Sequence, residues 1–144
     1  MPIPEALLDV VDWLVPNETE FALLAGSPLD GDDETVLRII AAYVTATRRS
    51  LVVTLGSRGA AVVPREAPGA IVPAPAVTAR DTTGAGDVFV GAFAVGIGLG
   101  WSAIDAARLG CAAAADSVQR PGTQRSFADR AAAAAILDGV RPSA

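Results

Sequence analysis

Residues 81–87 read Asp-Thr-Thr-Gly-Ala-Gly-Asp, and an uncharged apolar run over 88–99 follows directly. No other part of the chain constrains the fold as tightly. Gly84 and Gly86 let the backbone turn so that several N–H groups point into one concavity. The apolar run then opens a helix whose first N–H groups lack intrahelical partners and whose N-terminus carries partial positive charge. Such a place suits an anion, phosphate above all, with Asp81 and Asp87 at its rim. A Gly-rich turn capping a helix with no ligand gives a similar short string, because Asp favours a first turn on its own account. The string is no Walker loop, since no Lys-Ser or Lys-Thr follows the glycines. Its specificity comes from Asp81, the two threonines and the small residues standing together before a long apolar helix.

Composition narrows the chemistry. A chain of 144 residues is enough for one domain that buries roughly 68–70% of its unfolded surface. Its hydrophobic content is 51% and its charged content 19%, against about 25% charged in an ordinary soluble domain. Some apolar surface therefore expects a partner or a further piece of fold. Net charge is −5, and no basic run of five or more occurs, which argues against nucleic acid and anionic membrane as partners. The lone Cys111 excludes an internal disulfide and fits a reducing, cytoplasmic setting. The absence of histidine excludes Ser-His-Asp and Cys-His catalysis and His-ligated zinc, so a general base here is expected to be a carboxylate. The first residues, Met-Pro-Ile-Pro-Glu, lack the basic start of a signal peptide. A membrane-spanning helix over 88–103 is the alternative for the apolar run. Gly91, Gly96, Gly98 and Gly100, with Asp87 at its mouth, favour a buried core helix instead.

Apolar spacing predicts helices over 4–11, from Asn17 through Leu24 with Gly26 as the stop, and over 32–48 with an acidic first turn and a basic last turn. It predicts strands over 13–15, 51–55, 60–63 and 70–77. Three helices follow the central motif, over 88–99, 102–117 and 126–137, with Ser102 and Ser126 as N-caps. Strands alternating with helices in this order imply an α/β layer with a largely parallel sheet, which binds ligands at the carboxyl ends of its strands. Asn17–Glu20, Thr54–Gly59 and Asp81–Asp87 all fall at such ends.

Pro16-Asn17-Glu18-Thr19-Glu20, Val53-Thr54-Leu55-Gly56-Ser57-Arg58-Gly59 and Asp81-Thr82-Thr83-Gly84-Ala85-Gly86-Asp87-Val88-Phe89 together closely resemble the ribokinase-like (PfkB) carbohydrate kinases in order and spacing. The resemblance covers essentially the whole chain and is nearest the ribokinase branch. It implies a Rossmann-like three-layer α/β fold with a mostly parallel sheet flanked by helices. The activity implied is ATP-dependent phosphorylation of a sugar hydroxyl, ribose favoured. Relatives acting on fructose, a nucleoside or 2-keto-3-deoxygluconate stay open, as does a catalytically inactive nucleotide-binding or interaction fragment.

The resemblance also implies roles. Asp87 would contact the sugar and act as the base that takes its hydroxyl proton. Backbone N–H groups around Gly84, Ala85 and Gly86 would form the anion hole for the transferring phosphoryl group. Asn17 and Glu20 would help place Mg²⁺ and the nucleotide phosphates, an ordinary helix-capping pair being the plainer reading of the same two residues. Thr54, Leu55, Gly56, Ser57, Arg58 and Gly59 would line the nucleotide site, where a hairpin turn is the plainer reading. Cys111 would lie on a helix near the adenine, either as a contact wall or as a buried structural cysteine. Asp81, Thr83, Ser117, Arg120, Gly122 and Ser126 would form a K⁺ site, largely through backbone carbonyls, where a solvated helix–helix loop is the plainer reading.

Members of that family are about twice this long. By that resemblance residues 1–144 would correspond to the carboxyl-terminal, ATP-binding portion, so the sugar-binding amino-terminal half and the lid are expected from elsewhere, or from an oligomer of this chain.

Overall fold

The computed structural model describes residues 3–142. The first half runs α1 (Glu5–Leu8), β1 (Trp13–Leu14), α2 (Glu18–Ala25), α3 (Asp33–Thr47) and β2 (Ser50–Thr54). A 3₁₀ turn (Gly56–Arg58), β3 (Ala60–Val63) and β4 (Ala70–Val72) follow, then α4 (Ala85–Gly98), α5 (Ala103–Ser117), a 3₁₀ turn (Gln124–Ser126) and α6 (Arg130–Val140).

The strand β2 serves two cores, which is why its sequence reads as an unbroken apolar run rather than an alternating one. Leu51 and Val53 point to one face of the sheet, where Phe21 of α2 and Val36 and Ile40 of α3 are fully buried against them. Val52 points to the other face and packs with Val62, Val72, Phe89, Phe93 and Ala106. The result is three layers, with α2 and α3 on one side and α4 and α5 on the other, as the family resemblance implies.

The sheet has four strands in the order β1-β2-β3-β4. Only β1 and β2 pair in parallel; β2–β3 and β3–β4 are antiparallel. The expected largely parallel sheet is thus a mixed one. Residues 55–59 make a tight turn between β2 and β3, far too short for the crossover of a dozen or more residues that a parallel pair needs. After two reversals β4 again runs with β2, so the carboxyl ends of β1, β2 and β4 share one edge. The register places Thr54, Ala60 and Val72 in one row across that edge, and a bridge between Asn17 and Thr54 extends it.

Helix ends follow local chemistry. The helix expected over 4–11 shortens to Glu5–Leu8, because Leu7 and Val10 find no core and stay exposed. Asp32 caps α3 through the Thr35 amide at 2.9 Å. The expected basic last turn of that helix is instead a left-handed cap, Arg48 at φ 57°, whose N–H donates to the Val44 carbonyl at 2.7 Å. The strand expected over 70–77 stops at Val72, where Pro73 and Pro75 cannot donate to a ladder. Ser102 caps α5 as expected, accepting from the Asp105 amide at 3.1 Å. Ser126 does not cap α6: its hydroxyl donates to the Thr123 carbonyl, Phe127 returns to extended backbone, and Asp129 caps the helix through the Ala132 amide.

Helices α4 and α5 approach closely; a Cβ at Gly96 would lie 2.8 Å from Ala106. Trp13 meets Phe93 edge-on at 5.5 Å, which seats α4 over β1, while α5 packs on β3 and β4. Val90, Gly91, Ala94, Val95 and Gly98 form an exposed stripe on α4. Among the described residues no helix is long and apolar enough to cross a membrane.

Candidate active site

Asn17 and Glu20 stand at the first corner of the strand-end edge, and both are exposed. They form a reciprocal capping box at the start of α2, the Glu20 amide donating to Asn17 Oδ1 and the Asn17 amide to Glu20 Oε2, each at 2.9 Å. The plainer reading of this pair is therefore realised. The box engages one oxygen of the Glu20 carboxylate and fixes both side chains beside Thr54, whose amide donates to the Pro16 carbonyl at 3.0 Å.

The turn after β2 divides its residues. Thr54, Gly56, Ser57 and Gly59 line a cavity of about 520 Å³. Leu55 does not present its side chain there; it is buried against α2 and α3, while its amide donates to the Gly59 carbonyl at 2.8 Å. Arg58 turns its guanidinium toward Asp33 Oδ1 at 2.8 Å and the Gly31 carbonyl at 3.3 Å. Gly59 is dictated by geometry: at φ 106° a Cβ would sit 2.0 Å from the Val72 carbonyl oxygen. This close approach brings the turn against the end of β4.

The opposite wall begins at residues 81–87. Gly84 adopts φ 81° as the cap of α4, so the helix starts at Ala85 and takes Asp87 into its first turn. The Ala85 amide donates to the Thr82 carbonyl at 3.2 Å, and the helical ladder begins with Val88 donating to Gly84 at 3.0 Å. Among the described residues no carbonyl or side chain accepts from the amides of Gly86 and Asp87. These two donors, with the helix dipole behind them, are what an anion would engage. Of the expected set Gly84, Ala85 and Gly86, the Ala85 amide is already occupied. The amide of Asp87 itself joins the set, a role that the start of the helix at 85 rather than 88 reveals. The Asp87 carboxylate is exposed.

Asp81 holds this turn from behind. Its Oδ1 accepts from the Thr83 amide and its Oδ2 from the Gly122 amide, both at 2.9 Å. Hydrogen bonding from Thr83 first, then from Gly122, holds the Asp81 carboxyl down at about 2. The residues expected around a monovalent cation are otherwise engaged with one another. Arg120 pairs with Asp116 and donates through Nε and Nη2 to the Ser126 carbonyl at 3.1 and 2.9 Å. Ser117 is buried and donates to the Ala114 carbonyl at 2.8 Å. The structure therefore brings Asp81, Thr83 and Gly122 into direct contact, joins Arg120 to Ser126, and turns the Ser117 hydroxyl back onto its own helix.

The cavity reaches from Thr54 to Gly86 and is walled by α5 through Cys111, Ala114, Ala115 and Val118. Cys111 is 5% exposed, its Sγ lies 3.8 Å from the Val72 carbonyl, and burial pushes its thiol up to about 11. It is both a structural cysteine and part of the wall. Sequence reasoning missed Thr82, Phe89 and, from the extended segment after β4, residues 74–77 and Ala79, which also line the cavity. The spacing 111, 114, 115, 118 is one helical face and carries the signal for the α5 wall.

The residues thus fit a nucleotide: an apolar wall, hydroxyls at and after the end of β2, and unpartnered amides at a helix start. Comparison with known proteins points the same way. The model of the pfkB family of carbohydrate kinases matches residues 2–130. A ribokinase of Arabidopsis thaliana is 40% identical over 139 residues, which take in 94% of this chain and 36% of that relative. The structure of Arabidopsis thaliana ribokinase complexed with ribose and ATP is similar at a TM-score of 0.84 and 35% identity, covering 99% of this chain and 45% of that one. Phosphofructokinase-2 from Escherichia coli in complex with potassium is similar at a TM-score of 0.77 and 26% identity, covering 92% and 42%. The chain spans less than half the length of each of these relatives. The match to the family model runs over most of its residues, and the chain belongs to the pfkB family of carbohydrate kinases.

Proposed function

We propose that this chain is the nucleotide-binding and phosphoryl-transfer portion of an ATP-dependent sugar kinase, with ribose as the favoured acceptor. The observation that carries the reading is one cavity shared by the turn after β2 and the unpartnered amide turn of α4. ATP would lie across it, with its base against α5 and its phosphates toward Gly86. A sugar hydroxyl brought in line attacks the γ-phosphorus while the bond to the leaving phosphate oxygen breaks. Asp87 takes the hydroxyl proton, help typically worth about 10²–10⁴-fold. The amides of Gly86 and Asp87 donate to the equatorial oxygens as negative charge spreads over them. Because those donors are fixed by the helix start, no reorganisation is needed at the moment of transfer.

Asn17 and Glu20 are the residues that would hold Mg²⁺ through water, a hard ion that offsets phosphate charge. A K⁺ site behind the turn would draw on carbonyls of the 81–83 and 117–126 segments and steady the amides; the potassium complex of phosphofructokinase-2 supports that reading. The ribose and ATP complex of the plant ribokinase supports the choice of substrates.

The acceptor side needs more chain than these residues. The sheet ends at β1, and the stripe of Val90, Gly91, Ala94, Val95 and Gly98 on α4, the helix seated over β1, is uncovered. An edge strand flanked by an apolar helix face is the natural seat for the sugar-binding half. The test is ADP release with Mg²⁺, K⁺ and ribose from this chain joined to the amino-terminal half of a family ribokinase. Ribose-dependent release is expected. Nucleotide binding with no release, in an assembled and folded hybrid, would make the chain a binding or interaction piece only.

A further inference from the structure

We infer that the nucleobase in this cavity is held by burial and shape and is not read by side-chain hydrogen bonds, so triphosphates of different bases bind alike. The inference rests on the proposed nucleotide reading and deepens it.

The lining carries the argument. The α5 wall offers Cys111, Ala114, Ala115 and Val118, and Ala74, Pro75, Ala76, Val77 and Ala79 add only alanine, proline and valine side chains. Among the described residues no side-chain amide, carboxylate, guanidinium or ammonium group lines the cavity. The Cys111 thiol, the one sulfur in the wall, is directed at the Val72 carbonyl. The polar side chains are Thr54, Ser57 and Thr82. Each is a hydroxyl, which both donates and accepts, so it cannot tell the donor at one purine edge from the acceptor at another.

The backbone offers little more. Pro75 brings no N–H to the segment, and residues 75–80 are exposed, where water competes for the remaining groups. A site built to hydrogen-bond its substrate rejects a mismatched one by about 10⁴–10⁵-fold, whereas an apolar pocket rejects an isostere by only about 10–200-fold. This cavity is of the second kind.

The experiment is calorimetric titration of the full chain with ATP, GTP, ITP and inorganic tripolyphosphate, each with Mg²⁺. The purine triphosphates are expected to bind within about tenfold of one another and at least about tenfold more tightly than tripolyphosphate. ATP binding with GTP more than about 100-fold weaker would overturn the inference and leave the proposed function standing. Tripolyphosphate binding as tightly as ATP would overturn it too, by showing that the base is not held. Binding of none of them would overturn the nucleotide reading itself, and this inference with it.

Discussion

The Gly122 amide donates to Asp81 Oδ2 at 2.9 Å, tying the loop after α5 to the turn that opens α4. The amides of Arg80 and Asp81 reach back to the Val118 carbonyl at 2.7 and 3.1 Å, so the two segments are laced from both sides. Asp81 is thus a clamp that aims the anion turn, and its own carboxylate oxygens face amides rather than the cavity.

That clamp titrates. The Asp81 carboxyl is held at about 2, below the ordinary value of about 3.9. A lowered folded-state value means stabilisation that is fully present above the unfolded value and lost as pH falls through the folded one. The melting temperature of the wild type is expected to exceed that of Asp81→Ala at neutral pH, with the gap closing as pH falls from about 4 toward about 2. A gap unchanged over that range would contradict the clamp.

Asp87 lies in the first turn of α4 with its carboxylate exposed, and none of the packing depends on it. Asp87→Asn is expected to lower ribose phosphorylation by the completed kinase by at least about 10²-fold while leaving ATP affinity within a few-fold. Steady-state kinetics beside calorimetry checks this. Comparable turnover in the Asn variant would remove Asp87 from the proton-transfer role.

Two glycines should answer alanine in opposite ways. At Gly59 a Cβ would collide with the Val72 carbonyl oxygen at 2.0 Å, and the positive φ adds strain of about 1–3 kcal/mol. Gly59→Ala should therefore melt well below the wild type. Gly91 is exposed in mid-helix with nothing within 4 Å, so Gly91→Ala should stabilise the chain by about 0.5–1 kcal/mol. Urea titrations of both variants supply the comparison.

Burial raises the Cys111 thiol to about 11, so almost no thiolate exists at pH 8. Thiol reagents are expected to leave the folded chain unmodified and to label it stoichiometrically in denaturant. Fast labelling of native protein would mean that the cavity wall is open.

The clusters at Asn17–Glu20 and Thr54–Gly59 were legible because each breaks apolar periodicity after a strand, whereas Asp81–Asp87 follows an extended segment that begins where β4 stops at Val72. The gathering of Asn17 and Thr54 at one edge follows from those breaks. The strand direction was not legible: Gly56–Gly59 fits both a ligand turn and a hairpin, and it proves to be both. The cap of α6 was missed because Ser126 and Asp129 are both good N-caps, and only the return of Phe127 to extended backbone decides between them. The α5 wall was hidden in an alanine tract, since residues 112–115 alone carry no direction. The Asp87 amide emerged only when Gly84, in its left-handed conformation, set the helix start three residues early.

The central claim is that the first turn of α4 holds the phosphates of ATP. Gly86 isolates it, because a Cβ there meets nothing within 4 Å, so a valine crowds the ligand and spares the fold. Calorimetric titration of wild type and Gly86→Val with Mg·ATP is the direct measurement. The account predicts binding to the wild type and a loss of at least about tenfold in the variant, with the melting temperature nearly unchanged. Equal affinity in the two proteins, or no binding to the wild type, would contradict it.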